Sequence, residues 1–165
     1  MPYLNKSTLF IIILLGLLAS GIKILQPQQL TVAPAAVFKT LKGETIAMTD
    51  LKGKPVLITF WATDCSSCLQ EIPDLIALHQ QYSPLGLTII AVAMPYDPPN
   101  HVLELSTAKQ LPYAIALDPT AQHTQAFGNV QFTPTSFLID RDGKVAMQHT
   151  GRFKLAEVQA LLDNL

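Results

Sequence analysis

Six consecutive branched or aromatic residues, Val56–Trp61 (VLITFW), run directly into Ala62-Thr63-Asp64-Cys65-Ser66-Ser67-Cys68. A short apolar run without polar alternation reads as a strand buried on both faces. Beyond it, Leu69, Ile72, Leu75, Ile76 and Leu78 recur at helical spacing. This strand-to-helix unit, together with the alternating strands and helices that follow, makes the domain α/β, with helices on the faces of the sheet. Cys65 and Cys68 are the only cysteines in the 165 residues, and they stand where strand gives way to helix.

The remaining pattern is consistent with this. Residues 36–41 and 45–48 alternate around Lys42-Gly43-Glu44 as a hairpin would. Residues 87–92 (LTIIAV) form a second buried strand. Asp97 with two prolines behind it predicts a helix start, with the helix running to about residue 110. A short strand at 113–117 and a brief helix at 121–127 follow. Residues 136–139 and 145–149, joined by Asp140-Arg141-Asp142-Gly143, read as a closing hairpin, and 154–162 as an amphipathic helix.

The N-terminus is different in kind. Residues 8–22 (TLFIIILLGLLASGI) carry no charge, and with Lys23 to Leu25 the run reaches eighteen, near the lower limit for a spanning helix. Residues 1–25 are therefore expected to be a hydrophobic helix serving as a signal anchor. A cleaved signal peptide is the alternative, because Ala19-Ser20-Gly21 supplies small residues of the required kind. Either reading exports the domain. Residues 26–34 are a polar, proline-containing linker, and 35–165 are the folded domain. Beyond the linker lie nine basic against twelve acidic residues, a formal charge of −3. That balance gives no support for nucleic acid as a partner.

A Cys-x-x-Cys pair at a helix N-terminus is suited to thiol–disulfide exchange. The helix end supplies partial positive charge and unpaired N–H groups that stabilise a thiolate. Cys65, in the first turn, is the expected nucleophile, and Cys68, one turn deeper, the expected resolving thiol. Zinc would need two more ligands, and His79, His101, His123 and His149 are scattered, so neither a metal nor another cofactor is expected. Haem attachment would need His at position 69, which is Leu.

From Gly43 onward, about three-quarters of the chain, the sequence resembles exported thioredoxin-like proteins of the TlpA/ResA/CcmG type. The matching motifs are Asp50-Leu51-Lys52-Gly53-Lys54-Pro55, the strand into Trp61-Ala62-Thr63, the cysteine pair, Glu71, Pro73 and Phe132-Thr133-Pro134-Thr135. The resemblance implies a thioredoxin-like fold with an N-terminal β-hairpin and a central βα insertion, preceded here by the hydrophobic helix. It also implies a cis peptide at Thr133-Pro134 facing the cysteines, which leaves the preceding backbone free to pair with an extended substrate strand. Glu71 is implied to lie near the pair, where it would raise the Cys68 thiol pKa and accept its proton. Trp61 is expected to pack beneath the site, with substrate contact as a second role.

Two departures stand out. Cytoplasmic thioredoxins carry a buried Asp where this chain has Thr59, which shifts proton acceptance to Glu71 or water. Asp64 replaces the usual Trp before the first cysteine; it opposes thiolate formation or selects a basic partner. The peroxiredoxin pattern fits poorly, because those enzymes place Thr where this chain has Ala62.

The expected activity is extracytoplasmic reduction of partner disulfides, with apocytochrome c or a copper-site assembly protein as implied targets and a membrane electron donor. A disulfide-donating oxidase of the same fold is one alternative. A non-enzymatic Cu(I)-binding assembly module using Cys65, Cys68 and one His is the other.

Overall fold

The computed structural model describes residues 31–165. The expected N-terminal helix and most of the linker lie outside them. No helix among the described residues is long and apolar enough to cross a membrane.

The main sheet has five strands. Val56–Trp61 (β3) is central, with Thr88–Ala93 (β4) and Ala114–Leu117 (β5) parallel on one side. On the other side Thr135–Ile139 (β6) runs antiparallel to β3, and Val145–Thr150 (β7) antiparallel to β6 at the sheet edge. All six residues of β3 are buried, as expected for a strand paired on both edges and covered on both faces.

Side chains of β3 alternate between two cores. Leu57 and Trp61 join Cys68, Ile72, Leu75 and Leu78 of Ser66–Tyr82 (α1) and Val158 and Leu162 of Leu155–Leu162 (α4). Val56, Ile58 and Phe60 face the opposite way, toward Phe38, Phe127 and Phe137. Pro99–Ala108 (α2) links β4 to β5, so the 88–117 segment is a parallel βαβ unit at one end of the sheet. Gln122–Ala126 (α3) is a short helix between β5 and β6.

The expected hairpin forms from Val37–Lys39 (β1) and Thr45–Ala47 (β2), as a separate two-stranded sheet. Leu41 donates its N–H to the carbonyl of Ile115 at 2.8 Å, and Thr40 bridges Ala116. The hairpin end thus covers part of the outer edge of β5, satisfying backbone groups that an open edge would leave unpaired.

One local expectation changes. The second helix starts at Pro99 with Pro98 as its N-cap, and Asp97 makes no cap. Its carboxylate is directed instead across the sheet end to Thr63. Proline at the first helical position needs no hydrogen-bond acceptor for its nitrogen, so the helix starts without the aspartate.

Candidate active site

The chain leaves β3 at Trp61 and reaches α1 through Ala62-Thr63-Asp64. The N–H of Cys65 donates to the Ala62 carbonyl at 3.2 Å, closing a turn. Cys65 is the N-cap of α1: its backbone is extended and its Sγ accepts the Cys68 N–H at 3.2 Å. Sulfur thus takes the place of the oxygen that Ser, Thr, Asp or Asn usually brings to that position. The Ser67 hydroxyl lies 3.4 Å from the same sulfur. Cys65 is half-buried, Cys68 is 3% exposed, and the two are joined as a disulfide. The outer sulfur therefore sits at the positive end of a seventeen-residue helix while its partner faces the core.

Glu71 follows one turn later and is 1% exposed. The N–H of Phe153, in the loop between β7 and α4, donates to its carboxylate at 3.1 Å. Burial raises the Glu71 pKa from 4.5 to about 7. The Phe153 N–H acts against that rise, Asp74 adds to it, and Arg152 and the Thr59 hydroxyl hold it down. A carboxyl poised near neutrality can both take and return a proton at ordinary pH.

Thr59 belongs to the same group. It shares the β3 face of Trp61, two residues on, and accepts a hydrogen bond from the buried Ser136 hydroxyl at 2.9 Å. Its own hydroxyl proton is left to act on Glu71. Thr59, Trp61, Cys68, Glu71 and Tyr113 line a small cavity of about 10 Å³, close to the smallest space that holds one water. The buried indole Nε1–H of Trp61 has no acceptor among the described residues. Burial and the Glu71 charge both push the Tyr113 phenol upward, so it stays protonated.

The Thr133–Pro134 peptide is cis. Antiparallel pairing sets Thr135 opposite Phe60, which brings Pro134 level with Trp61 at the strand end that leads to the cysteines. Thr133 is half-buried and Phe132 is exposed. The fold therefore gathers Trp61, Cys65, Cys68, Glu71, Thr133 and Pro134 around one end of β3.

The histidines are not gathered there. No group of three or more His, Cys, Asp or Glu side chains able to hold a metal ion occurs among the described residues. A concavity of about 570 Å³ also lies elsewhere. It runs between the hairpin and the α2–β5 segment, from Lys42 and Glu44 to Gln110 and Tyr113. Only Tyr113 and Leu111 border both it and the small cavity at Cys68.

Sequence reasoning missed Asp97, Ser136, Tyr113 and Phe153. The last contributes only a backbone N–H, which no side-chain pattern encodes. Asp97 before two prolines carries a signal, but it reads equally as helix initiation.

Known proteins place the chain. The Redoxin family profile matches residues 29–162. Thiol-disulfide oxidoreductase ResA of Geobacillus thermodenitrificans (strain NG80-2) is 33% identical over 133 residues, covering 81% of this chain and 75% of that protein. A putative thioredoxin from Neisseria meningitidis superposes with a TM-score of 0.76 at 32% identity, covering 82% of this chain and 90% of its own. A putative thiol:disulfide interchange protein DsbE from Chlorobium tepidum gives a TM-score of 0.68 at 30% identity, over 84% and 95%. With an overall fold, a cysteine pair and a sequence that agree in this way, the chain belongs to the Redoxin family and is a thiol-disulfide oxidoreductase of the ResA type.

Proposed function

We propose that the protein reduces disulfides in partner proteins on the extracytoplasmic side of a membrane. Residues 1–25 act as the anchor, 26–34 as the linker and 35–165 as the exchanging domain. The observation that carries this reading is the pairing of a half-buried, helix-capping Cys65 sulfur with a buried Cys68 that shares its small cavity with Glu71.

The Cys65 thiolate attacks one sulfur of the partner disulfide. A mixed disulfide forms, and the released partner thiolate takes a proton from solvent. Cys68 then passes its proton to Glu71 and attacks the Cys65 sulfur, which breaks the mixed bond and expels the second partner sulfur as a thiolate. This takes a proton from solvent, and Glu71 gives its own up. The partner gains two electrons and two protons, and the pair closes as the Cys65–Cys68 disulfide. A membrane electron donor reduces it for the next cycle. Thr133 and Pro134 dock the partner chain beside Cys65, and the buried Trp61 supports that surface from below. By resemblance, the partner is apocytochrome c or a copper-site assembly protein.

Equilibration of the full chain in glutathione and dithiothreitol redox series tests the direction. A reductase should show a potential well below about −200 mV; a value near about −120 mV, typical of a strong oxidant, would overturn the reading. Cys68→Ser should trap a mixed disulfide with a partner, and Cys65→Ser should not.

A further inference from the structure

Asp97 lies in the loop after β4 and is only 6% exposed. Its carboxylate accepts two hydrogen bonds from one residue: the Thr63 N–H at 2.7 Å and the Thr63 hydroxyl at 2.7 Å. The two partners lie 34 positions apart in the chain, and Thr63 is two residues before Cys65. The same loop pair is also joined by the Met94 N–H, which donates to the Trp61 carbonyl at 2.9 Å. Asp97 in turn is fixed by its own N–H donating to the Met94 carbonyl at 3.0 Å. The segment that leads into the nucleophile is thus held at Trp61 and Thr63 by one neighbouring loop.

We propose that Asp97 is a positioning residue for Cys65, acting through Thr63. The proposal rests on Cys65 being the nucleophile. A helix N-cap depends on the path by which the chain enters the helix, because the cap residue must keep an extended backbone while its side chain turns back to the helix N–H groups. Thr63 sits within the 62–65 turn that sets this path. With Thr63 held at both its N–H and its hydroxyl, the Cys65 sulfur stays over the Cys68 N–H, where the helix end stabilises a thiolate. The buried Asp97 carboxylate is itself stabilised by the two short donor bonds from Thr63.

Substitutions separate the clamp from the charge. Asp97→Ala removes both bonds. Asp97→Asn can keep both, its amide oxygen accepting the Thr63 N–H and its amide nitrogen donating to the Thr63 hydroxyl oxygen. Thr63→Val removes the hydroxyl bond alone. The fully reduced full chain of each variant would be titrated for the Cys65 thiolate by ultraviolet absorbance and assayed for attack on glutathione disulfide. In Asp97→Ala the Cys65 titration should move upward, with a roughly tenfold loss of rate at neutral pH, the change one pKa unit makes to a thiolate fraction. Asp97→Asn should restore most of both, and Thr63→Val should fall between.

A Cys65 titration in Asp97→Ala that matches the wild type overturns the proposal. So does an Asp97→Asn protein that folds yet is as impaired as Asp97→Ala. If Asp97→Ala does not fold, Thr63→Val decides: an upward titration supports the clamp and an unchanged one overturns it. Cys65→Ser run alongside tests the premise separately. Exchange surviving in it removes the nucleophile assignment and this proposal together, whereas an inert Cys65→Ser with unperturbed Asp97 variants removes only the clamp.

Discussion

Glu71 of α1 accepts the backbone N–H of Phe153 at 3.1 Å, although 82 positions separate them in the chain. This bond closes the loop before α4 over a buried carboxyl that lines the same cavity as Cys68. The bond favours the ionised carboxylate while burial favours the neutral acid, and burial is the larger influence, so the pKa settles at about 7. Several consequences can be measured.

Glu71→Gln should flatten part of the pH dependence of stability. The folded-state pKa lies above the unfolded value, so the stabilisation is complete below pH 4.5 and is lost as pH rises to about 7. That interval corresponds to about 3 kcal/mol. Chemical denaturation of the oxidised protein at several pH values should show the wild type losing stability across this window and the variant not doing so. The exchange rate of Glu71→Gln should fall as well, because Cys68 loses its proton acceptor; an unchanged rate would remove Glu71 from the mechanism.

Arg152→Ala should raise the Glu71 titration with little effect on folding. Arg152 holds an ion pair with Asp74 at 2.8 Å and lowers the Glu71 pKa, whereas Asp74 raises it. Without the guanidinium, both changes act upward on Glu71. The pair is solvent-facing on the Arg152 side, so its loss should cost less than about 1 kcal/mol. Carboxyl-carbon NMR titration would follow Glu71 directly.

Thr59→Val keeps the shape of the side chain and removes its hydroxyl. Ser136, fully buried, then loses its acceptor, which should cost roughly 1–3 kcal/mol. The same variant should move Glu71 upward, since the Thr59 hydroxyl holds it down. Thermal melts and the NMR titration read the two effects independently.

Phe127→Ala tests the core on the other side of the sheet. Phe127 is fully buried, with ring centroids 5.5 Å from Phe60 and 5.2 Å from Phe137. Truncation should cost roughly 3–5 kcal/mol through lost burial and the cavity left behind. The pH dependence assigned to Glu71 should survive, because that group lies on the opposite face of β3.

Much of this architecture could be read in one dimension, for physical reasons that act locally. A run such as VLITFW has little choice but to lie inside a sheet, and the spacing after Cys65 matches only a helix, so the strand-to-helix handover at the cysteines follows from chain chemistry alone. The alternation around Gly43 and the turn at Asp142-Gly143 are local in the same sense. What the tertiary structure decided is which distant groups meet that handover. Folding set the Phe153 N–H on Glu71, brought Ser136 to Thr59 through antiparallel pairing, and turned Asp97 from an expected helix start into the partner of Thr63. Burial depth, hydrogen-bond partners and the resulting pKa values depend on these long-range meetings. Residue type and spacing therefore name the reactive sulfurs, while packing determines the proton chemistry available to them.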